Sequence, residues 1–126
     1  MATIKSYTDF PQSNKLAEFL PIESADMWYH GHNSPWKSER KYDDRPCPFH
    51  SVSPSWDKPC WSLAALLSVL PTIDDDEFEP QLHRSLDKYR CTYEGKEDSS
   101  GLWRVADNPV DACYEMIIKL HELKML

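Results

Sequence analysis

The chain of 126 residues contains only three glycines, Gly31, Gly95 and Gly101. A phosphate-cradling P-loop and a dinucleotide fingerprint both need several glycines within one short turn, so neither can be assembled here. Nucleotide-dependent chemistry of those kinds is disfavoured. No stretch approaches the roughly eighteen apolar residues of a membrane-spanning helix, and the opening MATIKSYTDF has neither the basic nor the hydrophobic region of a secretory signal. A cytoplasmic protein with no membrane association is expected. Basic residues are scarce, 14 against 21 acidic ones, which gives a net charge of -7. That balance opposes the counterion release that drives most nucleic-acid binding, so no direct DNA or RNA contact is expected. The four cysteines include no C-x-x-C pair, and in a reducing compartment they read as free thiols rather than a disulfide framework.

What is present is enough to fold. Hydrophobic residues make up 40% and aromatics 12% of the chain, too much for a disordered segment. The length suits one domain, residues 1–126, with its own core. Acid is concentrated in residues 72–100, which hold nine acidic and four basic side chains, whereas residues 31–60 are close to balanced.

Helix signals appear three times. In TDFPQSNKLAEFLP, Asp9 can cap, Gln12 completes a capping box, Pro11 fits the opening turn, and Leu16, Ala17 and Leu20 share a face. In DKPCWSLAALLSVLP, the spacing predicts a helix that begins near Asp57, takes Pro59 in its first turn and is apolar on most sides. In NPVDACYEMIIKLHELKML, Asn108 can cap, Pro109 takes the first helical position, and Val110, Cys113, Met116, Ile117, Leu120 and Leu123 form one face.

Strand signals lie between the helices. IESADMWYH alternates Ala25, Met27 and Tyr29 against polar neighbours, and SLDKYRCTYE places Tyr89, Cys91 and Tyr93 on one side. A loose turn at GKEDSSG leads to a return strand, LWRVA, in which Trp103 and Val105 face the same way. Residues 31–59, with five prolines and no period, read as a long loop. The expected fold is α+β, a small antiparallel sheet of about three strands packed against about three helices.

Three segments, QSNKLAEFLPIESADMWY, PCWSLAALLSVLP and NPVDACYEMIIKLHELKML, resemble a group of short uncharacterised proteins encoded by gut bacteria and their phages or mobile elements. ESADM, PCWSLAALL and the NPVDA helix occur in the same order. The resemblance carries no activity, cofactor or catalytic residue. It implies a bacterial or phage cytoplasmic setting and an accessory role. The insert from His30 to Lys58 and the acidic connector Asp74 to Glu79 depart from the pattern.

The stretch RPCPFHSVSPSWDKPCW carries the densest chemistry, with Cys47 and His50 as a C-x-x-H pair and Cys60 ten residues on. Structural zinc needs four ligands, and His30 or His32 in HGH is a candidate fourth. A second local pair is missing. Cys60 near a helix N-terminus is alternatively a nucleophile candidate, and equally a small buried residue. DDDEFE lacks the alternating oxygens and central glycine of a calcium loop and reads as a solvated connector. Cys91 and Cys113 occupy core positions, and His83 and His121 have no companions at ligand spacing. No cofactor is expected.

The leading functional expectation is therefore a non-catalytic, acidic protein-interaction module. Its partner-binding candidates are the loop aromatics Trp36, Tyr42, Phe49 and Trp56, since such rings give large contact area at low conformational cost. The same rings can instead complete the domain's own core. The alternative from another class is a small zinc-binding or cysteine-dependent enzyme using Cys47, His50 and Cys60.

Overall fold

In the computed structural model, residues 5–32, 41–48, 57–73, 78–93 and 102–126 are described. They form an α+β fold in two compact units, one of residues 7–62 and one of residues 1–6 with 63–126.

The unit of residues 7–62 starts with helix α1, Phe10–Ala17, and the expected capping box is present. The Asp9 side chain accepts from the Gln12 N–H at 2.9 Å, and the Gln12 side chain accepts from the Asp9 N–H at 3.2 Å. Leu16 and Leu20 are buried, while Ala17 faces solvent. Pro21 then leads into a single 3-10 turn, Ile22–Ser24, so the expected strand is confined to β1, Met27–Tyr29. β2, Gly31–His32, pairs with β3, Lys41–Tyr42, and β4, Lys58–Cys60, pairs antiparallel with β1.

The structure thus corrects two expectations. Residues 31–59 do not form one continuous loop, because β2, β3 and β4 interrupt them. Lys58–Cys60 is strand rather than the first turn of a helix, so Asp57 is no helix cap and Cys60 lies at no helix N-terminus. The pairing explains how Pro59 is tolerated. Trp28 exchanges both of its backbone hydrogen bonds with Cys47, at 2.9 and 2.8 Å. Its other edge, opposite Pro59, is therefore a non-hydrogen-bonded position where a missing N–H costs nothing.

The unit that carries residues 63–126 begins with α2, Leu63–Val69, shorter than the sequence pattern predicted. Its three-stranded antiparallel sheet runs in the order β5, Gln81–Ser85, then β6, Lys88–Thr92, then β7, Trp103–Ala106. The β6–β7 pairing is the expected hairpin. β5 was not expected, and it takes Ser85 from the predicted strand through a two-residue turn at Leu86 and Asp87, in which Leu86 holds φ at 57°.

The last helix, α3, Pro109–Glu122, follows its sequence signals closely. Asn108 caps it by accepting from the Asp111 N–H at 2.8 Å, and Val110, Cys113, Met116, Ile117 and Leu120 are fully buried. Leu123 falls outside the buried face. α3 packs on β6, β7 and α2. Cys91, Tyr93, Leu66 and Leu102 complete this core, and the Tyr93 hydroxyl donates to the Pro71 carbonyl at 2.7 Å. Among the described residues no helix is long and apolar enough to cross a membrane.

Candidate functional site

Cys60 sits at the centre of a buried polar knot. Its strand position beside α1 places it under Thr8, Ser13 and Tyr29, all buried. The Cys60 thiol donates to the Thr8 carbonyl at 3.4 Å, and the Thr8 hydroxyl lies 3.6 Å from Cys60 Sγ and 2.8 Å from Ser13 Oγ. The Tyr29 hydroxyl donates to the same Thr8 carbonyl at 2.7 Å, and the Trp61 N–H donates to Thr8 Oγ1 at 3.1 Å. Burial pushes the Cys60 thiol above its ordinary range despite these hydrogen bonds. Burial likewise raises the Tyr29 phenol well above its usual value, with Cys60 contributing. A thiol that is sealed from solvent and held protonated is a structural group, not an activated nucleophile.

The proposed metal set does not converge through Cys60. Cys47 pairs with Trp28 on one edge of β1, and Cys60 lies in β4 on the other. Two strand spacings, about 10 Å, separate those edges. Cys47 is exposed and Cys60 buried. His50 lies outside the described residues, as do Trp36, Phe49 and Trp56. Tyr42 is half-buried against its own unit, with its ring centre 5.8 Å from that of Phe10 and the Lys58 ammonium 4.8 Å above it. Phe10 in turn stacks on Tyr29 at 4.3 Å.

Comparison of the chain with protein-family models, with curated proteins and with solved structures finds no match.

Two features emerge from the tertiary structure that spacing alone does not single out. One is a pair of histidine and carboxylate contacts around β2. The other is the outer face of the three-stranded sheet. There Trp103 and Val105 are each 42% exposed, Leu86 at the hairpin turn is 89% exposed, and the Arg90 guanidinium lies 5.4 Å from the Trp103 ring centre. A shallow depression of about 290 Å³ beside them is lined by Ser85, Leu86, Asp87, Lys88, Arg90 and Val105. The LWRVA alternation already placed Trp103 and Val105 on one side. It could not say that this side faces water.

The buried Cys91 and Cys113 thiols form a second protected site. The hydrogen bond with Cys91 and burial together push the Cys113 thiol far above its ordinary range. Thiol labelling of the native protein at neutral pH is therefore expected to modify one of the four cysteines rapidly, Cys47. Cys60, Cys91 and Cys113 should react only on unfolding. Mass mapping after a brief exposure to a maleimide would check this, and fast labelling of Cys60 would contradict the buried knot.

Proposed function

We propose that this protein is a non-catalytic, acidic interaction module, an accessory or inhibitor protein of a phage or mobile element, that binds a protein partner through the outer face of β5–β7. The observation that carries this reading is the exposed Trp103, flanked by Val105 and stacked against Arg90. Tryptophan and arginine are the residue types most enriched at the energetic centres of interfaces, where a ring enters a desolvated pocket on the partner. Carried on the edge strand β7 with the Arg90 guanidinium over its ring, Trp103 loses little conformational freedom on binding. The net charge of -7 favours a protein partner over nucleic acid. The phage or mobile-element setting rests on the ESADM, PCWSLAALL and NPVDA resemblance alone.

The test is affinity capture from the native host with the tagged chain, run beside Trp103→Ala and the control Ile22→Ser, which alters an exposed apolar residue of the other unit. Both substitutions are at partly exposed positions, and circular dichroism of each variant checks that its fold is kept. A partner retained by the wild type and Ile22→Ser, and reduced tenfold or more by Trp103→Ala, is expected. A partner whose recovery is unaffected by Trp103→Ala, or no partner at all, would count against the proposal.

A further inference from the structure

We infer that His30 and His32 together bind a divalent first-row transition-metal ion, with His30 Nε2 and His32 Nδ1 as the ligands. The two residues sit at positions i and i+2 of extended chain. Gly31–His32 is strand, and the ladder continues backwards through the Asp43 N–H, which donates to the His30 carbonyl at 2.9 Å. Alternation in a strand sends such a pair to the same side. Their ring centres are 5.3 Å apart, with the ring planes at 84°.

That separation suits a shared ion. A metal about 2.0–2.1 Å from a ring nitrogen lies about 3.2 Å from the centre of that ring, so two imidazoles at a tetrahedral angle have centres about 5.2 Å apart. Both side chains are open to solvent, at 58% and 55% exposure, so an ion can reach them without unfolding.

Each imidazole also has the carboxylate partner that orients a ligating histidine. Asp57 Oδ1 lies 3.1 Å from His30 Nδ1 and also accepts from the Gly31 N–H at 3.1 Å. The Asp57 side chain is only 3% exposed, which fixes both it and the ring it holds. Asp43 Oδ1 lies 2.7 Å from His32 Nε2. When each ring donates its N–H to its carboxylate, the opposite nitrogen carries the lone pair, the arrangement in which an outer carboxylate fixes the tautomer and orientation of a ligating histidine. Among the described residues no group of three or more metal-binding side chains forms. With two protein ligands among the described residues, binding is weaker than at a closed four-ligand structural site.

The experiment uses the full chain in chelator-free buffer at pH 7.5, with Zn²⁺ followed by calorimetry and Co²⁺ by visible absorption. One ion per chain is expected. His30→Gln, whose amide can still donate to Asp57, and His32→Ala should each weaken binding at least tenfold, and the double variant should remove it. Asp43→Asn should weaken it by about 10-fold or more, as second-shell changes do, with the thermal midpoint unchanged. Cys47→Ser should leave the affinity as it is, and the Co²⁺ spectrum should lack an intense thiolate charge-transfer band. Absence of saturable binding at millimolar metal, unchanged binding in the double histidine variant, or a thiolate band lost with Cys47→Ser would each overturn the inference.

Discussion

Replacing Trp61 with alanine is expected to lower stability by about 3–5 kcal/mol, the usual cost of truncating a fully buried tryptophan. Among the described residues Trp61 is the largest side chain with no exposed surface, and three hydrogen bonds fix its position. Its indole N–H donates to Ser24 Oγ at 2.9 Å, its backbone N–H donates to Thr8 Oγ1 at 3.1 Å, and its carbonyl accepts from the Thr8 N–H at 2.9 Å. Alanine keeps the two backbone bonds, so the loss comes from the cavity and the forfeited indole contacts. A domain of this size is stable by only about 5–15 kcal/mol, which makes the expected loss a large share of the total. Urea unfolding followed by circular dichroism would show it as a midpoint lowered by about 1.5–3 M at an ordinary denaturant slope. The exposed Trp103→Ala is the matched control. If the two substitutions shifted the midpoint equally, Trp61 would not be a core residue.

Raising the pH into the alkaline range should destabilise the protein steeply. Cys60, Tyr29 and Tyr93 have folded-state values raised above their ordinary ones, and so has Cys113, but its partner Cys91 is lowered, so the two thiols of that pair oppose each other. For Cys60 and the two tyrosines burial is the main cause, and for Cys113 it is the hydrogen bond with Cys91. A group that holds its proton more tightly when folded contributes its full stabilisation below its unfolded pKa and loses it as pH rises toward the folded value. Above the unfolded value the unfolded chain binds fewer protons than the native one, so the slope of stability with pH is negative.

The window follows from the unfolded values, about 8.5 for cysteine and about 10 for tyrosine. Stability should begin to fall as the Cys60 thiol ionises in the unfolded chain and steepen above about pH 10 as the two tyrosines join it. Each group contributes up to about 1.4 kcal/mol per pH unit, so Cys60 and the two tyrosines together bring the loss by pH 11 to at most about 6 kcal/mol, a large share of the folding free energy. Urea midpoints measured from pH 7 to pH 11 would check this. Tyr29→Phe and Tyr93→Phe should each give a shallower alkaline slope, because each removes one group from the linkage. Their hydroxyls donate to the Thr8 and Pro71 carbonyls, so each variant should also lose about 1 kcal/mol at neutral pH. A midpoint that stayed constant to pH 11 would contradict the buried placement of these groups.

The features legible from the chain were those whose physics is local. Asp9 with Gln12, and Asn108 with Asp111, set their helix starts through bonds spanning three residues, with Pro109 in the first helical position. The apolar face from Val110 to Leu120 repeats at the helical period, and α3 buries it. The β6–β7 hairpin follows from alternation alone. By contrast, Lys58–Cys60 read as helix because the apolar run after it extended the pattern backwards. Only the pairing of Pro59 with Trp28, more than thirty residues away in the chain, made a strand there possible. β5 was missed for a similar reason: QLHRS has no clean alternation, and its turn uses Leu86 at positive φ where a glycine or asparagine would have signalled it.

The candidate sites divide along the same line. His30, His32, Cys47 and Cys60 were visible as residues that can do chemistry. Which of them are near one another depended on strand pairing, a non-local choice that residue spacing does not encode. Pairing carried Cys47 and Cys60 to opposite edges of β1 and brought Asp43 and Asp57 to the two histidines. The sequence by itself determined the α+β class, the helix caps, the acidic charge and the exclusion of glycine-rich phosphate loops, because composition and short-range hydrogen bonding suffice for these. The tertiary structure alone decided that Cys60 is sealed, that Trp103 faces water and that each histidine has a carboxylate, because burial and long-range pairing exist only once the chain has closed on itself.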